Sequence, residues 1–175
     1  MLQYIPNPER VSLRNRRYIL GIKIMAQSLS KIYLHIIFST KNRFPFLYNE
    51  SLRMKLYSFL IGVSKKLDSP IIKISGVSEH IHLICDLSRN CSVAEIVREL
   101  KRTSSKWIQD KAPLLKTFHW QNGYSVFSVS PSNLESVKGY LEKQSEHHKK
   151  ISFQEEVRKF LKKYGIKYNE RYIWD

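Results

Sequence analysis

The chain has 175 residues, 42% of them apolar and 12% aromatic, which suits one domain with a core of its own. Thirty lysines and arginines against 15 acids leave a formal charge of +15, an excess that points to a polyanionic partner, either nucleic acid or an anionic surface. Two cysteines, Cys85 and Cys91, exclude a disulfide framework and a multi-cysteine zinc site and agree with a cytosolic, cytoplasmic protein, while no stretch reaches the ~20 apolar residues of a membrane span.

Residues 1–24 crowd arginines and two prolines into a segment without a hydrophobic period. They read as a basic N-terminal arm, or as an upstream extension of a chain starting at Met25, with one domain over 25–175. Lys31 to Thr40 predicts a strand in which Tyr33, His35 and Ile37 face one way and Leu34, Ile36 and Phe38 the other. The basic-aromatic turn "KNRFPF" follows. Leu52, Leu56, Leu60 and Val63 recur at helical spacing, which predicts a helix capped by Asn49 or Ser51 and ending near Leu67. Ile71–Val77 and His80–Leu87 predict a hairpin. Ser92 caps a second predicted helix to about Lys111, with Ile96, Leu100, Trp107 and Ile108 apolar and Arg98, Lys101, Arg102 and Lys106 on its polar face. "FHWQNGYSVFSVS" is a strand region broken by the turn signal Asn122-Gly123. Ser132 or Asn133 caps a third helix predicted to run to about Lys150. A last helix spans Phe153 to Lys163 and ends at Gly165. The order β-α-β-β-α-β-α-α predicts an α+β fold, with helices on one face of a mainly antiparallel sheet.

The stretch "HIHLICDL", residues 80–87, places two histidines inside an apolar strand. Alternation puts His80, His82 and Ile84 on one face and Ile81, Leu83 and Cys85 on the other. The imidazoles then stand ~6–7 Å apart by strand rise, close enough to converge on one divalent ion. The other reading is two surface histidines on a half-exposed strand. No acids form a D-x-D or paired cluster on a strand, and alternation points Glu79 away from the histidines. A water-activating hydrolase built on several carboxylates is therefore disfavoured, and a side-chain nucleophile such as tyrosine is preferred. In the third predicted helix Tyr140 and Gln144 are four residues apart and share a face. His147 lies on the same stripe and His148 is adjacent. The alternative there is an ordinary solvent-facing polar helix.

The ordered stretches "HIIFSTKNR", "GVSEHIHLICDL", "LKRTSS", "WQNGYSVFSVSPSNLESVKGYLEKQSEHHKKISFQEE" and "GIKYNERYIW" resemble the single-tyrosine transposases of the HUH superfamily, enzymes of small insertion sequences that act on single-stranded DNA. The resemblance covers about Met25 to Trp174. It implies a ferredoxin-like antiparallel sheet, a C-terminal helix carrying the catalytic tyrosine, and a homodimer. It implies Tyr140 as nucleophile, and His80, His82 and Gln144 as ligands of Mg²⁺ or Mn²⁺. Single-stranded DNA, as hairpins at the element's ends, is the implied substrate. Lys41, Arg43, Arg98, Lys101, Arg102 and Lys106 are candidate phosphate contacts, and Phe44, Phe46 and Tyr48 candidate base-stacking residues. Two other readings stand beside this one: a domesticated relative that processes repetitive chromosomal palindromes, and a non-enzymatic nucleic-acid-binding protein with a ferredoxin-like sheet. The last of these predicts exposed aromatics on the central strands.

Overall fold

A computed structural model describes residues 18–19, 22–23 and 28–174. The chain divides into a unit of residues 1–30 and a unit of residues 31–175. In the first, Tyr18–Ile19 (β1) pairs antiparallel with Ile22–Lys23 (β2). The rest of the arm expected over residues 1–24 lies outside the described residues.

The second unit is built on four antiparallel strands: Tyr33–Ser39 (β3), Ile71–Gly76 (β4), His80–Asp86 (β5) and Ser125–Val129 (β6). Their order across the sheet is β4-β5-β3-β6. The α+β class and antiparallel sheet expected from the sequence are therefore found. Register sets Ile37 opposite His82, Ser39 opposite His80, and His35 between Ile84 and Phe127. Side-chain alternation sends Leu34, Ile36, Phe38, Ile81, Leu83 and Cys85 into one large apolar core. His35, Ile37, His80 and His82 go to the opposite face.

Two long helices cover the apolar face. Glu50–Lys66 (α1) starts at Asn49, whose side chain accepts from the Leu52 N–H at 2.9 Å. Val93–Lys111 (α2) starts at Ser92, whose hydroxyl accepts from the Glu95 N–H at 3.1 Å. Leu56 and Leu60 of α1 and Ile96, Leu100 and Ile108 of α2 are fully buried against the sheet. Burying one such side chain contributes ~1.5–3 kcal/mol. Cys85 sits among them as a small core residue, its thiol pushed up to about 12 by burial.

The β4–β5 connection is tight. The Val77 N–H donates to the His80 carbonyl at 3.1 Å. A Cβ on Gly76 would stand 2.3 Å from that same oxygen and 2.8 Å from Ile81 Cα. Only glycine lets the two backbones approach so closely.

Asn122-Gly123 does not close a hairpin. Trp120 bridges Thr40 and Ser125 pairs with Ile37, so the segments on both sides of the turn run along the same strand. The loop between them is held by the Lys101 ammonium, which donates to the carbonyls of Gln121, Asn122 and Gly123.

The third helix is broken rather than continuous to Lys150. A 3₁₀ turn at Pro131–Asn133 leads into Leu134–Glu142 (α3). Lys143, at φ −94° and ψ 12°, interrupts it before Gln144–His147 (α4). Neither Ser132 nor Asn133 caps α3 through its side chain; the Ser132 hydroxyl lies 2.9 Å from that of Ser130 instead. The last helix, Phe153–Lys163 (α5), opens on a capping box in which Ser152 and Glu155 satisfy each other's backbone N–H. Gly165 follows at φ +64°, the left-handed conformation that favours glycine. Phe153, Val157 and Leu161 of α5 pack on Ile37 and Phe127, so the histidine face of the sheet is covered too. Among the described residues, no helix is long and apolar enough to cross a membrane.

Candidate active site

The histidine face carries an unusual load of buried polar groups. His80 and His82 are fully buried, and Gln144 and Glu156 are 0% and 1% exposed. Strand β5 aims the two imidazoles, whose ring centroids lie 5.1 Å apart. The α3–α4 segment brings Tyr140, Gln144 and His148, and α5 brings Glu156.

Glu156 joins these groups. One of its oxygens, Oε1, accepts from the Tyr140 hydroxyl and from Gln144 Nε2 at 3.1 Å. The other, Oε2, lies 3.2 Å from His82 Nε2 and 3.2 Å from His148 Nε2. His148 Nε2 is in turn 2.9 Å from His80 Nε2. Behind His82, its Nδ1 meets His35 Nε2 at 3.0 Å, which fixes the ring from the far side.

The electrostatics follow from burial and crowding. Burial pushes His80 down to about 4. Burial, and then the neighbouring His82, push His35 down to about 3. Both rings are neutral at physiological pH, the form in which an imidazole is a metal ligand. Burial works to raise Glu156, but the imidazoles of His148 and His82 outweigh it and hold the carboxyl well below the usual carboxylate range. For His148, burial lowers the pKa, yet Glu156 beside it leaves the net shift upward. Tyr140 is raised well above the ordinary phenol value, by burial first and by its bond to Glu156 second. It is a phenol at rest.

Do these residues fit a cation? His82 Nε2, Gln144 Oε1 and Glu156 Oε2 are buried, and none has a hydrogen-bond partner in alignment; the 3.2 Å contacts of Oε2 are close but misdirected. Such orphaned groups are costly in a protein interior. An imidazole nitrogen, an amide oxygen and a carboxylate oxygen are all donors to a divalent ion. Donor atoms of His80, His82, His148 and Glu156 lie within 4.8 Å of one another. The set fits a metal ion.

Tyr140, His80, His82 and Gln144, singled out in the sequence, are thus brought together. Sequence reasoning missed Glu156. Its signal lay in α5, where Phe153, Val157, Phe160 and Leu161 define the apolar stripe and Glu156 falls inside it. An acid on the buried side of an amphipathic helix wants a partner. Glu79 is a second correction: it lies outside β5, and its Oε1 comes within 3.3 Å of His80 Nδ1 instead of facing away.

The candidate DNA contacts are scattered. Lys41 and Lys106 are exposed. Arg98 and Arg102 flank Glu99, at 3.5 and 2.7 Å. The Arg43 guanidinium lies 5.9 Å from the centre of the Trp174 ring. Lys101 is occupied by its three carbonyls, and burial pushes it down to about 8. Phe46 packs on the apolar core, whereas Phe44 and Tyr48 are exposed.

An antiparallel α+β sheet thus carries a histidine pair on one face, with a tyrosine brought beside it. Residues 28–144 match the family model described as "Transposase IS200 like", and the chain belongs to that family. Among solved structures it is similar to a candidate transposase from Deinococcus radiodurans R1, at 22% identity and TM-score 0.56, over 70% of this chain and 98% of that one. It is also similar to a REP-associated tyrosine transposase bound to a REP hairpin, at 18% identity and TM-score 0.50, over 70% of this chain and 72% of that one. No protein of curated function matches it by sequence.

Proposed function

We propose that this protein cleaves and rejoins single-stranded DNA at insertion-sequence ends through a covalent 5′-phosphotyrosine on Tyr140. The observation that carries this reading is the shared carboxylate. Glu156 touches the Tyr140 hydroxyl with one oxygen and lies against His82 and His148 with the other. Nucleophile and one of the two histidine ligands, His82, are therefore held on a single group.

In the proposed reaction the Tyr140 oxygen attacks a backbone phosphorus. The new P–O bond to tyrosine forms as the P–O3′ bond breaks; Tyr140 gives up its phenol proton, and the departing O3′ takes one up and leaves as a 3′-hydroxyl. No water is consumed, so the phosphodiester energy is conserved and the 3′-hydroxyl of another strand can reverse the step and rejoin DNA. His80, His82 and Gln144 would hold Mg²⁺ or Mn²⁺, which when bound relieves charge on the non-bridging oxygens and the leaving oxygen. His35 keeps His82 in its tautomer and orientation. Lys41, Arg43, Arg98, Arg102 and Lys106 would contact phosphates. Lys101 serves the loop it clamps. The substrate would be a DNA hairpin and the working unit a homodimer, as the family resemblance implies.

A domesticated relative acting on chromosomal palindromes would use the same chemistry, and the likeness to a REP-associated transposase favours keeping that reading. The non-enzymatic alternative is less well supported, because Phe38 on the central strand β3 and Phe127 on the edge strand β6 are buried, each 2% exposed, and offer no stacking platform.

The test is incubation with labelled single-stranded hairpin oligonucleotides and Mg²⁺ or Mn²⁺. A protein–DNA adduct is expected with the natural chain and none with Tyr140→Phe, which should still bind DNA. An adduct that persists in Tyr140→Phe would remove Tyr140 from the reaction.

A further inference from the structure

The three imidazoles and the carboxylate of this site are packed like the donors of one small ion. His80 Nε2 and His148 Nε2 are 2.9 Å apart, and Glu156 Oε2 is 3.2 Å from both His82 Nε2 and His148 Nε2. Around an ion with bonds of ~2.0–2.1 Å, as for zinc with nitrogen and oxygen donors, tetrahedral neighbours stand about 3.3 Å apart. The contacts lie close to that spacing. Two of them are poor as anything else: Oε2 lies close to His82 Nε2 and to His148 Nε2 yet forms an aligned hydrogen bond with neither.

We infer that His148 and Glu156 join His80 and His82 as ligands, and that the site thereby takes a transition-metal ion of the Mn²⁺, Co²⁺ or Zn²⁺ class in preference to Mg²⁺. The inference rests on the phosphotyrosine reading for its functional setting and goes beyond it in ligand set and metal class. Magnesium demands oxygen donors in near-octahedral array and keeps much of its water. Three imidazoles in a buried pocket offer it little, whereas nitrogen-rich sites suit the borderline transition metals. Neighbouring groups support the two added ligands. Gln144 Nε2 holds Glu156 by its other oxygen, and His148 Nδ1 lies 3.2 Å from the Ile151 carbonyl, an arrangement that orients a ligating histidine. Glu156 would then touch the ion through Oε2 and Tyr140 through Oε1, so that one carboxylate sets the distance between metal and nucleophile.

The test uses the full chain stripped with EDTA and titrated with Co²⁺, read by visible absorption. One Co²⁺ per chain is expected, with the intense spectrum of a low-coordinate nitrogen-rich site that millimolar Mg²⁺ does not erase. His148→Ala and Glu156→Gln should each weaken Co²⁺ at least about ten-fold and alter the spectrum. Circular dichroism checks the fold, and His148→Gln serves if either variant does not fold. Displacement of Co²⁺ by equimolar Mg²⁺, or variants that bind Co²⁺ like the parent, would overturn the assignment. The adduct assay on the same preparations separates the two claims. An adduct with unchanged metal binding in the variants defeats this inference alone. Failure of the natural chain to form any adduct, with Co²⁺ bound as expected, defeats the phosphotyrosine reading alone.

Discussion

The two faces of the central sheet are made by the same strands and are packed to different rules. On one, Ile36, Ile81 and Leu83 meet α1 and α2 in a core without polar side chains on the strands. On the other, one residue away along each strand, His35, His80 and His82 are buried with Gln144 and Glu156 under α3, α4 and α5. The first face is stabilised by removal of apolar surface from water. The second carries desolvated polar groups that only one another, or a cation, can satisfy. The alternation of β5 thus divides stability from chemistry within a single heptapeptide.

That division is open to direct attack. Among single substitutions, the largest effect should come from the apolar face. Leu83→Ala removes a fully buried side chain and should lower unfolding free energy by ~2–5 kcal/mol, as read from urea midpoints. Acid should act chiefly through the histidine face, and over several pH units by as much. His35 and His80 have folded pKa values pushed down to about 3 and about 4, against 6.5 in the unfolded chain. Above pH 6.5 both are neutral in either state and contribute nothing. As pH falls below that value, the unfolded chain takes up protons that the folded chain refuses. Stability should then drop by up to about 1.4 kcal/mol per pH unit for each histidine, until the folded values are reached. The lowered carboxyl of Glu156 works in the same direction, its contribution being present above its unfolded pKa and lost toward acid. Urea midpoints in EDTA between pH 7 and pH 4 measure the slope; a flat profile would sink the account. The smallest effect compares two helix caps. Asn49→Ala and Ser152→Ala should each cost about 1 kcal/mol. Only Ser152→Ala, at the start of the helix that carries Glu156, should also weaken metal binding.

Much of this was legible beforehand, and the limits have physical causes. The period-2 pattern of "YLHIIFS" and "HIHLICD" settled which residues face the core, because a strand has only two faces. Asn49, Ser92 and Gly165 marked helix ends through local hydrogen bonding and backbone conformation, which sequence records. The break at Lys143 was not legible, since "GYLEKQSEHHKK" has no proline, and its one glycine, Gly139, lies inside α3. There the path of the chain is set by where Tyr140, Gln144 and His148 must reach. The turn at Asn122-Gly123 carried the right chemistry, but a hairpin needs the flanking segments to pair, and both prefer β3. Glu156 was hidden because it stands on a separate helix, far in sequence from the histidine strand, and its partnership exists only once α5 lies on the sheet.

Gly76 sets a tolerance on the whole arrangement. Its missing side chain is the clearance that lets β4 lie against the backbone of His80 and Ile81, and the atoms it faces most closely are main chain, with no rotamer to yield. Any substituent at 76 must therefore be absorbed by moving the start of β5, and with it the ring that β5 carries. The aim of the first ligand is fixed by the absence of a methyl group on the neighbouring strand, in a residue with no chemistry of its own.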